Sequence, residues 1–469
     1  MSRRITNIAA LAISVLFGSG CQQSASLKPK RADSDRASIL LFSDVRGALK
    51  PCGCSPDLQR GGVDRVAHYV ADVRRTAPNA LLLHAGNLLV DEDGVLPGAE
   101  AQITRRVQAL SEALQIMGTG AVTLGAYDVI QGLDWLEKRL PSLGIPVVLT
   151  NAEGPRWSKV VERTRIVNVA GVKVGLMGLV PERGEGITNP LDAARRASLE
   201  LRAAGVDTII VLSSLGLRKA KRLLRKGLDV DIFHAAGQDM KALVSDEVES
   251  FGKSHLLQSF IQGGQVGRID LNVGEGSLAY VEATAVAPKR SSYFRYGLYP
   301  IGWDLPRHPD VASVMTSYDS ELKAINLNAS STLPPLADGQ AHYVGVETCL
   351  ECHDDTLSYW NHDKHKTAWD TLVRDNKTYD LECVGCHATG YGKPGGSILS
   401  DMKNLQTVQC ESCHGPGSLH AEDAEADSIS RSVPESVCVT CHNPKHSTRF
   451  EYELYKSRVL VPGHGKPLE

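Results

Sequence analysis

The sequence predicts two folded domains of different kinds, an α/β domain followed by a smaller, mostly helical one. In residues 38–288, short apolar runs alternate with amphipathic stretches, which is typical of strands and helices in an α/β sheet. In residues 343–450, a Cys-x-x-Cys-His motif occurs four times. The chain of 469 residues is long enough for two or three such domains.

The elements of the first domain follow from its hydrophobic pattern. Continuous apolar runs predict strands that are buried on both faces, and apolar residues at three- and four-residue spacing predict helices. The predicted strands are 39–42, 80–83, 121–124, 147–149, 172–179 and 208–212, and the predicted helices are 63–74, 101–116 and 191–204.

Residues 289–342 are expected to join the two domains as one helix and a linker. Apolar residues at helical spacing predict a helix over 306–327. Residues 326–342 are rich in Ser, Asn, Pro and Gly and predict the linker. Residues 451–469 are expected to form a polar tail.

The four motifs are typical of covalent c-type haem attachment. Two thiols two residues apart reach the two vinyl groups of one porphyrin, and the adjacent histidine becomes an axial ligand of its iron. A structural zinc module has no need of a histidine directly after each second cysteine, and thioredoxin-like pairs occur singly. The motif residues are Cys349, Cys352 and His353; Cys383, Cys386 and His387; Cys410, Cys413 and His414; and Cys438, Cys441 and His442.

The N-terminus predicts export. Haem attachment of this type takes place outside the reducing cytosol, and residues 1–21 combine a charged start, a short apolar run and a lipoprotein-like cleavage box ending at Cys21. We therefore expect lipidation of Cys21, with residues 22–37 as a flexible tether, or else ordinary signal cleavage nearby. Later stretches fall short of the roughly 20 apolar residues of a membrane span. A net charge of −3 argues against a nucleic-acid binder.

The first domain resembles the 5'-nucleotidase branch of the calcineurin-like metallophosphatases, which implies a sheet sandwich covered by helices. That family has Asp-x-His-Gly, Gly-Gly-x-x-Arg, Gly-Asp, Gly-Asn-His-Glu-Phe-Asp, Ser-His-Leu-Gly and Gly-His-x-His segments in this order. The matching segments here are 42–47, 61–65, 83–87, 124–128, 212–216 and 231–238.

The metal ligands that this resemblance implies are largely missing. Two-metal phosphoester hydrolysis needs two cations clamped by carboxylates and imidazoles about 3.5–4 Å apart. Asp44 is retained, whereas the other ligand positions carry Arg46, Asn87, Ala126, Tyr127, Ser214, Ala236 and Gln238. The domain is therefore expected to be an inactive hydrolase. The alternative is a single relocated metal on Asp44, His84 and His234.

Cys52 and Cys54 lie one residue apart in a Pro/Gly-rich insertion beside the former active site. A disulfide across so small a ring would be strained and hence oxidising, so one interpretation, though not the favoured one, is a redox-active or soft-metal site. The alternative is a structural turn that tolerates thiols. Arg46 and Lys50 nearby are candidates for orienting an anion or favouring a thiolate.

The second domain resembles the tetrahaem c-type cytochrome family whose best-known member accepts electrons from hydroxylamine oxidoreductase. The match extends to the phrases between the motifs, in 343–349, 360–372, 386–391, 408–420 and 441–447. The resemblance implies four haems packed as the core. The sixth iron ligands are expected from His365, His420 and His446, and after these from His362 and His342, with His464 solvated. The family also allows one iron without a second histidine.

These features predict an envelope-anchored electron carrier that exchanges electrons with redox partner proteins, with the hydrolase-like domain as a docking or scaffold module. One alternative is an active enzyme, either a residual ester hydrolase or a haem-dependent reductase of a small nitrogen or sulfur species. Another is a binding protein for an anion in the old cleft, with Arg46 as the candidate ligand.

Overall fold

A computed structural model describes residues 37–51, 60–96, 98–237, 246–259, 262–328, 332–443, 446–447 and 449–466. The predictions for Cys21, the tether, the Cys52–Cys54 pair and Gln238 lie outside the described residues and stay predictions. Among the described helices, none is long and apolar enough to cross a membrane.

The N-terminal unit contains twelve strands and seven helices in its described part. In chain order they are β1 (Ala37–Ser43), α1 (Val63–Arg74), β2 (Leu81–Ala85), α2 (Glu100–Ile116), β3 (Thr119–Val122), α3 (Ala126–Val129), α4 (Leu133–Glu137), β4 (Thr164–Val169), β5 (Val172–Leu179), α5 (Pro190–Ala203), β6 (Thr208–Ser213), α6 (Gly216–Arg225), β7 (Ile232–Ala235), β8 (Glu249–Phe251), β9 (Ser254–Gln258), β10 (Gln265–Asn272), β11 (Glu275–Tyr280), β12 (Ser291–Pro300) and α7 (Pro309–Asn328). Short 3-10 turns occupy Leu140–Leu143 and Trp157–Lys159.

Two six-stranded sheets pack face to face, in the orders β11-β12-β10-β1-β2-β3 and β4-β5-β6-β7-β9-β8. Side chains alternate between the two faces of a strand. Along β1, Ile39 and Leu41 enter the apolar layer between the sheets, whereas Leu40 and Phe42 enter the layer shared with α1 and α2. All four are fully buried. This burial on both faces explains the continuous apolar run and confirms the predicted helix-covered α/β sandwich.

The N-terminal unit extends past its predicted end at residue 288. Strand β12 pairs antiparallel with β10 along its length, from Gln265 opposite Pro300 to Asn272 opposite Tyr293. Helix α7 then packs on α1 and α2 through Val311, Met315, Tyr318 and Leu322, which are buried in the same core. The structure thus places residues 291–328 in the first unit.

Most predicted elements of this unit are observed, with ends shifted by one or two residues. Residues 147–149 differ, because they form only isolated bridges, Val147 to Val122 and Val148 to Glu162. Strands β4 and β7–β12 and helices α3, α4 and α6 had not been predicted. The strands include the sheet edges and an antiparallel region, where β4 and β11 are only partly buried and their apolar pattern is weak.

The C-terminal unit consists of short helices joined by turns. They are α8 (Val346–Leu350), α9 (Leu357–His362), α10 (Ala368–Arg374), α11 (Leu381–His387), α12 (Cys410–His414), α13 (Ser418–Asp423), α14 (Glu435–Cys438) and α15 (Tyr452–Val459), followed by the two-residue strands β13 (Val461–Pro462) and β14 (Gly465–Lys466). Short 3-10 turns occupy Asp354–Thr356, Lys364–Thr367 and Ala426–Ser428. The mostly helical prediction is confirmed.

The C-terminal unit has a small side-chain core. Its described buried apolar cluster consists of Leu372, Val384, Ala388 and Leu399. A buried carboxylate, that of Glu411, also ties three segments together, because it accepts hydrogen bonds from the backbone N–H groups of Val344, Gly345 and Gly417. The other buried apolar side chains described in this unit are Tyr343, Trp360 and Leu405, so its side-chain core is much smaller than that of the first unit.

Candidate haem sites and the remnant hydrolase site

Short helices carry the four motifs. Helices α11 and α12 each end on the motif histidine, α8 carries the first cysteine of the first motif, and α14 ends on the first cysteine of the fourth. Within a helical turn, residues three and four apart lie on the same side. The second cysteine and the histidine of a motif therefore face the same way as the first cysteine. The eight motif cysteines are half-buried, except for Cys352, which is exposed.

Three motif histidines face another histidine ring at nearly equal distances. The ring centres of His353 and His420 are 6.1 Å apart, those of His442 and His365 are 6.1 Å apart, and those of His414 and His464 are 6.2 Å apart. One metal ion between two imidazoles holds their ring centres roughly 6 Å apart, because each metal–nitrogen bond is about 2 Å and each nitrogen lies about 1 Å from its ring centre. The residues present therefore fit an iron atom held from both sides.

Hydrogen bonds to backbone carbonyls fix how these rings are oriented. The Nδ1–H groups of His414, His420 and His464 donate to the carbonyls of Ser430 (2.7 Å), Glu425 (2.9 Å) and Val459 (2.6 Å). A carbonyl only accepts, so Nδ1 carries the proton and Nε2 keeps its lone pair. An anchored Nδ1–H with an open Nε2 is the usual arrangement of a histidine that binds a metal.

The Nδ1 of His365 faces a side-chain carboxylate, whereas those of the three preceding histidines face backbone carbonyls. Its Nδ1 lies 3.2 Å from Oδ2 of Asp363, which also accepts a 2.6 Å hydrogen bond from the hydroxyl of Tyr359. Burial alone would raise the pKa of Asp363, but the hydrogen bonds from His365 and Tyr359 lower it to about 2. The carboxylate is thus charged at neutral pH and makes His365 a more basic ligand.

His387 differs from the other three motif histidines. Its Nδ1 is anchored by the carbonyl of Ala368 at 2.6 Å and lies 3.3 Å from the hydroxyl of Thr371. Among the described residues, no histidine ring is recorded opposite it. His342 and His362 are exposed. The expectation for His446 stays a prediction, because residues 444, 445 and 448 around it lie outside the described part.

The expectation that His464 is solvated was wrong. His464 is half-buried, and its ring stacks on Tyr359 with centres 4.3 Å apart. Helix α15 and the β13–β14 turn fold back from the end of the chain and bring His464 to the third motif. The contact joins His464 to His414, 50 positions away in the sequence. The one sequence signal for such a contact is that the domain contains histidines outside its four motifs.

The remnant hydrolase site is centred on Asp44, whose carboxylate is occupied by donors from the chain. Oδ1 accepts from the backbone N–H of Asn87 (3.0 Å) and from its side-chain amide (2.9 Å), and Oδ2 accepts from the backbone N–H of Gly237 (2.7 Å). Asn87 in turn accepts from the N–H of Tyr127 at 2.8 Å. Burial raises the pKa of Asp44, while Arg46 and these donors lower it.

Asp128 organises the loop beside this site and was not singled out from the sequence. Its carboxylate accepts hydrogen bonds from the backbone N–H groups of Leu88, Leu89 and Gly125, each at 2.8 Å, and of Val90 at 3.2 Å. Burial raises the pKa of Asp128 to about 6, with the four N–H groups opposing that rise. These bonds hold the loop that carries Asn87.

His84 and His234 are fully buried. The His84 ring packs edge-on against Phe42, with ring centres 4.9 Å apart. Nε2 of His84 accepts from the N–H of Val45 at 3.3 Å, and Nε2 of His234 is 2.9 Å from the hydroxyl of Ser259. Burial lowers the pKa of His84 to about 3 and that of His234 to about 4. Among the described residues, His, Cys, Asp and Glu side chains form no group of three or more suited to a metal. The relocated-metal alternative therefore gains no ligand set here.

Arg46 lies at the mouth of the remnant site. Its guanidinium carbon lies 5.3 Å from the ring centre of Tyr127, within cation–π range. Asp44 and Arg46 both have left-handed backbone, with φ of 49° and 54°, which strains residues other than glycine. Such strain is often found where a loop once served a ligand.

Comparison with known proteins agrees with the haem motifs. The model of the family described as cytochrome c554 and c-prime matches residues 348–415. Cytochrome c-554 of Nitrosomonas europaea is 34% identical over 93 residues, which cover 16% of this chain and 40% of that protein. The C-terminal domain is similar to cytochrome c554. This confirms the predicted resemblance, which implies covalently bound c-type haem.

The N-terminal unit matches nucleotidases. A probable 5'-nucleotidase of Treponema pallidum is 26% identical over 200 residues, covering 40% of this chain and 32% of that protein. A 5'-nucleotidase precursor from Thermus thermophilus has a TM-score of 0.52 at 20% identity, covering 62% of this chain and 59% of that one. NAD nucleotidase of Haemophilus influenzae has a TM-score of 0.50 at 16% identity, covering 70% and 68%. These structures show a shared fold.

Both predicted resemblances are thus confirmed. The chain spans less than half the length of the two curated relatives it matches, 40% of the cytochrome and 32% of the nucleotidase.

Proposed function

We propose that this protein is a tetrahaem electron-transfer protein of the bacterial cell envelope. The observation that carries the proposal is the set of three histidine pairs, His353–His420, His442–His365 and His414–His464, with ring centres 6.1–6.2 Å apart. Two histidines on one iron leave no position for a substrate, so such a haem carries electrons and does no chemistry on a bound molecule.

The residues of the chain would bind the haems and orient them. Bound haem would supply an iron that accepts and releases one electron. The cysteine pairs would hold each porphyrin. The three histidine pairs would each hold one iron, and His387 would hold the fourth. The charged Asp363 beside His365 would favour the oxidised iron at the fourth motif, since a more basic ligand stabilises the higher charge.

The N-terminal unit is proposed to be a docking or scaffold module without hydrolase activity. Its retained aspartate, Asp44, directs both carboxylate oxygens at N–H donors of the chain. Asn87 is a neutral amide at the position where the related enzymes carry a bridging carboxylate. A two-metal mechanism relies on carboxylates that offset the charge of two dications, and this site offers one at most.

The proposed localisation is outside the cytoplasm, with a lipid attached to Cys21 and residues 22–37 as the tether. Haem attachment through thioether bonds supports export. The proposed partners are redox proteins of the envelope. Nucleic acid is not among them, because the net charge is −3. Cys52 and Cys54 are proposed as a redox-active pair or soft-metal ligands, on the sequence alone.

A second function is favoured by one observation, the described surroundings of His387. A haem held there would keep one axial position for a small ligand, since no described histidine lies opposite. This haem would then be the place for reduction of a small nitrogen or sulfur species. The proposal for the other three haems does not depend on it.

Optical and electron paramagnetic resonance spectra of the mature protein, with and without carbon monoxide, test the proposed function. We expect four haems per chain by mass spectrometry, of which three are low-spin and unresponsive to carbon monoxide. A fourth haem that is high-spin and binds carbon monoxide would support the second function at His387, whereas a fourth low-spin haem would support His446 as its sixth ligand. Two or more carbon-monoxide-binding haems would contradict the histidine pairs, and a protein without covalent haem would overturn the proposal as a whole.

A further inference from the structure

The two units meet at a single haem motif, the second. Every hydrogen bond and ion pair recorded between their described residues involves the haem-domain segment 375–382, which leads into Cys383. Lys50 donates to the carbonyl of Asp375 at 3.4 Å, and Asn326 donates to that of Tyr379 at 2.6 Å. Tyr379 and Leu381, two residues apart, also pack against the apolar core of the N-terminal unit.

One residue of α2, Gln102, holds the start of helix α11. Its amide donates to Oδ1 of Asp380 at 2.8 Å and its carbonyl accepts from the backbone N–H of Leu381 at 3.1 Å. Asp380 is the N-cap of α11, since the same Oδ1 accepts from the N–H of Glu382 at 3.1 Å. Gln102 is fully buried. The orientation of the helix that carries the second haem motif is therefore set partly by the first unit.

One turn along α2, Arg106 forms an ion pair with the same helix. Its Nη1 lies 2.5 Å from a carboxylate oxygen of Glu382, the residue directly before Cys383. Arg106 is only 4% exposed. Burial is the largest single influence and lowers its pKa, but Glu382, Tyr318 and Asp380 together raise the pKa above its ordinary value, so the guanidinium stays charged. The arginine end of the pair is shielded from water, whereas the Glu382 side chain is partly exposed.

Arg106 also touches the remnant site. A Cβ at Gly47 would lie 2.9 Å from both Cζ and Nε of Arg106, so the guanidinium packs on the loop that carries Arg46. Two of its nitrogens, Nε and Nη2, are buried without a hydrogen-bond acceptor among the described residues. Its positive charge is therefore offset mainly by Glu382.

We infer that Arg106 is a positioning residue for the haem on Cys383, Cys386 and His387, and that it sets the reduction potential of this haem through Glu382. The inference rests on the proposed haem function. When that iron takes up one electron, the local charge falls by one, so a nearby uncompensated carboxylate opposes reduction. Arg106 compensates the Glu382 carboxylate in a buried setting, where charges interact most strongly.

The N-terminal unit would then be more than a passive scaffold, because it supplies the cation that completes the surroundings of the second haem. The other three motifs make no recorded hydrogen bond or ion pair with described residues of that unit. Only one of four potentials should therefore respond to changes at this interface.

The test is a spectroelectrochemical titration of the full-length holoprotein in five forms: wild type, Arg106→Gln, Arg106→Lys, Glu382→Gln and Arg106→Gln/Glu382→Gln. We expect Arg106→Gln to lower one of four midpoints by a tenfold change or more in the one-electron equilibrium constant, about 59 mV. Arg106→Lys keeps the positive charge, so its midpoint should stay close to that of wild type. Glu382→Gln should raise the same midpoint. In the double variant the two effects should largely cancel, leaving the midpoint close to the wild-type value.

The matched control is Arg105→Gln. Arg105 is the neighbouring residue of α2 and pairs with Glu321 of α7 at 2.6 Å, within the N-terminal unit. It should leave all four midpoints unchanged. Four unshifted midpoints in haem-loaded Arg106→Gln would overturn the inference. If Arg106→Gln fails to fold, Glu382→Gln becomes the test. An unchanged midpoint in Glu382→Gln would also overturn the inference. Wild-type protein without four covalent haems would instead refute the proposed function.

Discussion

The two units differ in what fills their interiors. Between the sheets of the first unit, side chains such as Leu41 and Leu83 are fully buried and polar groups such as Asp44 are bonded to the chain itself. In the second unit, four apolar residues form the described buried cluster, and histidine rings face one another across 6.1–6.2 Å. The first unit has an extensive side-chain core, whereas we propose that the second is built around bound haem.

Preventing haem attachment should break this comparison most visibly. In a variant with alanine at all eight motif cysteines, we expect the C-terminal unit to lose cooperative unfolding, because a cluster of four apolar side chains cannot offset the entropy of ordering roughly a hundred residues. Hydrogen exchange followed by mass spectrometry should show fast exchange in 343–466 and continued protection of β1, β5 and β6.

Protection of the C-terminal unit in that haem-free variant would contradict the comparison. The Cys52→Ala/Cys54→Ala variant serves as the control, since it removes two thiols and leaves the haem motifs intact. It should retain protection in both units.

The buried histidines of the first unit predict that its stability depends on pH. The pKa of His234 is lowered from its ordinary 6.5 to about 4, so the folded state stays uncharged where the unfolded state takes up a proton. Stability is thus lost as pH falls below about 6.5. Between pH 6.5 and pH 5 the loss is about 2 kcal/mol for one such histidine.

Denaturant unfolding measures the free energy of unfolding at each pH. Between pH 6.5 and pH 5, this free energy should fall by about 2 kcal/mol less in His234→Gln than in wild type. Asp128 acts in the opposite direction, since its raised pKa of about 6 favours the folded state as pH falls. The difference between variant and wild type isolates the histidine. His68→Gln on helix α1 is the control and should keep the wild-type pH dependence. An unchanged slope in His234→Gln would contradict the account of a neutral buried imidazole.

The His464→Ala substitution should have the smallest effect on stability, but it should change the absorption spectrum of one haem clearly. Loss of the ring opposite His414 should convert one low-spin haem into a high-spin haem that binds carbon monoxide, with the other haems unchanged. His362→Ala, which removes an exposed histidine, is the control. A spectrum of His464→Ala identical to wild type would assign the sixth ligand of the third motif elsewhere.

The sequence allowed the local features of both units to be predicted. Helix 63–74 and strand 172–179 match α1 and β5, because burial on one or both faces leaves a regular apolar pattern. The motif helices follow from Cys-x-x-Cys-His spacing. The loss of metal ligands could also be read from single positions such as Asn87 and Ser214.

Contacts between distant parts of the chain could not be predicted. The approach of His464 to His414 depends on how the tail folds back, and the Arg106–Glu382 pair joins residues 276 positions apart across two units. The use of Asp128 to hold four backbone N–H groups depends on the loop conformation beside it. None of these contacts leaves a periodic pattern in the sequence.

The most direct test of the central claim is an elemental analysis of the folded, full-length protein by inductively coupled plasma mass spectrometry. A complete first unit and a haem-built second unit predict four irons per chain, with manganese and zinc far below one per chain after incubation with either metal and desalting. Manganese or zinc near two per chain would contradict the claim, because the remnant site would then still hold the metals of a working hydrolase.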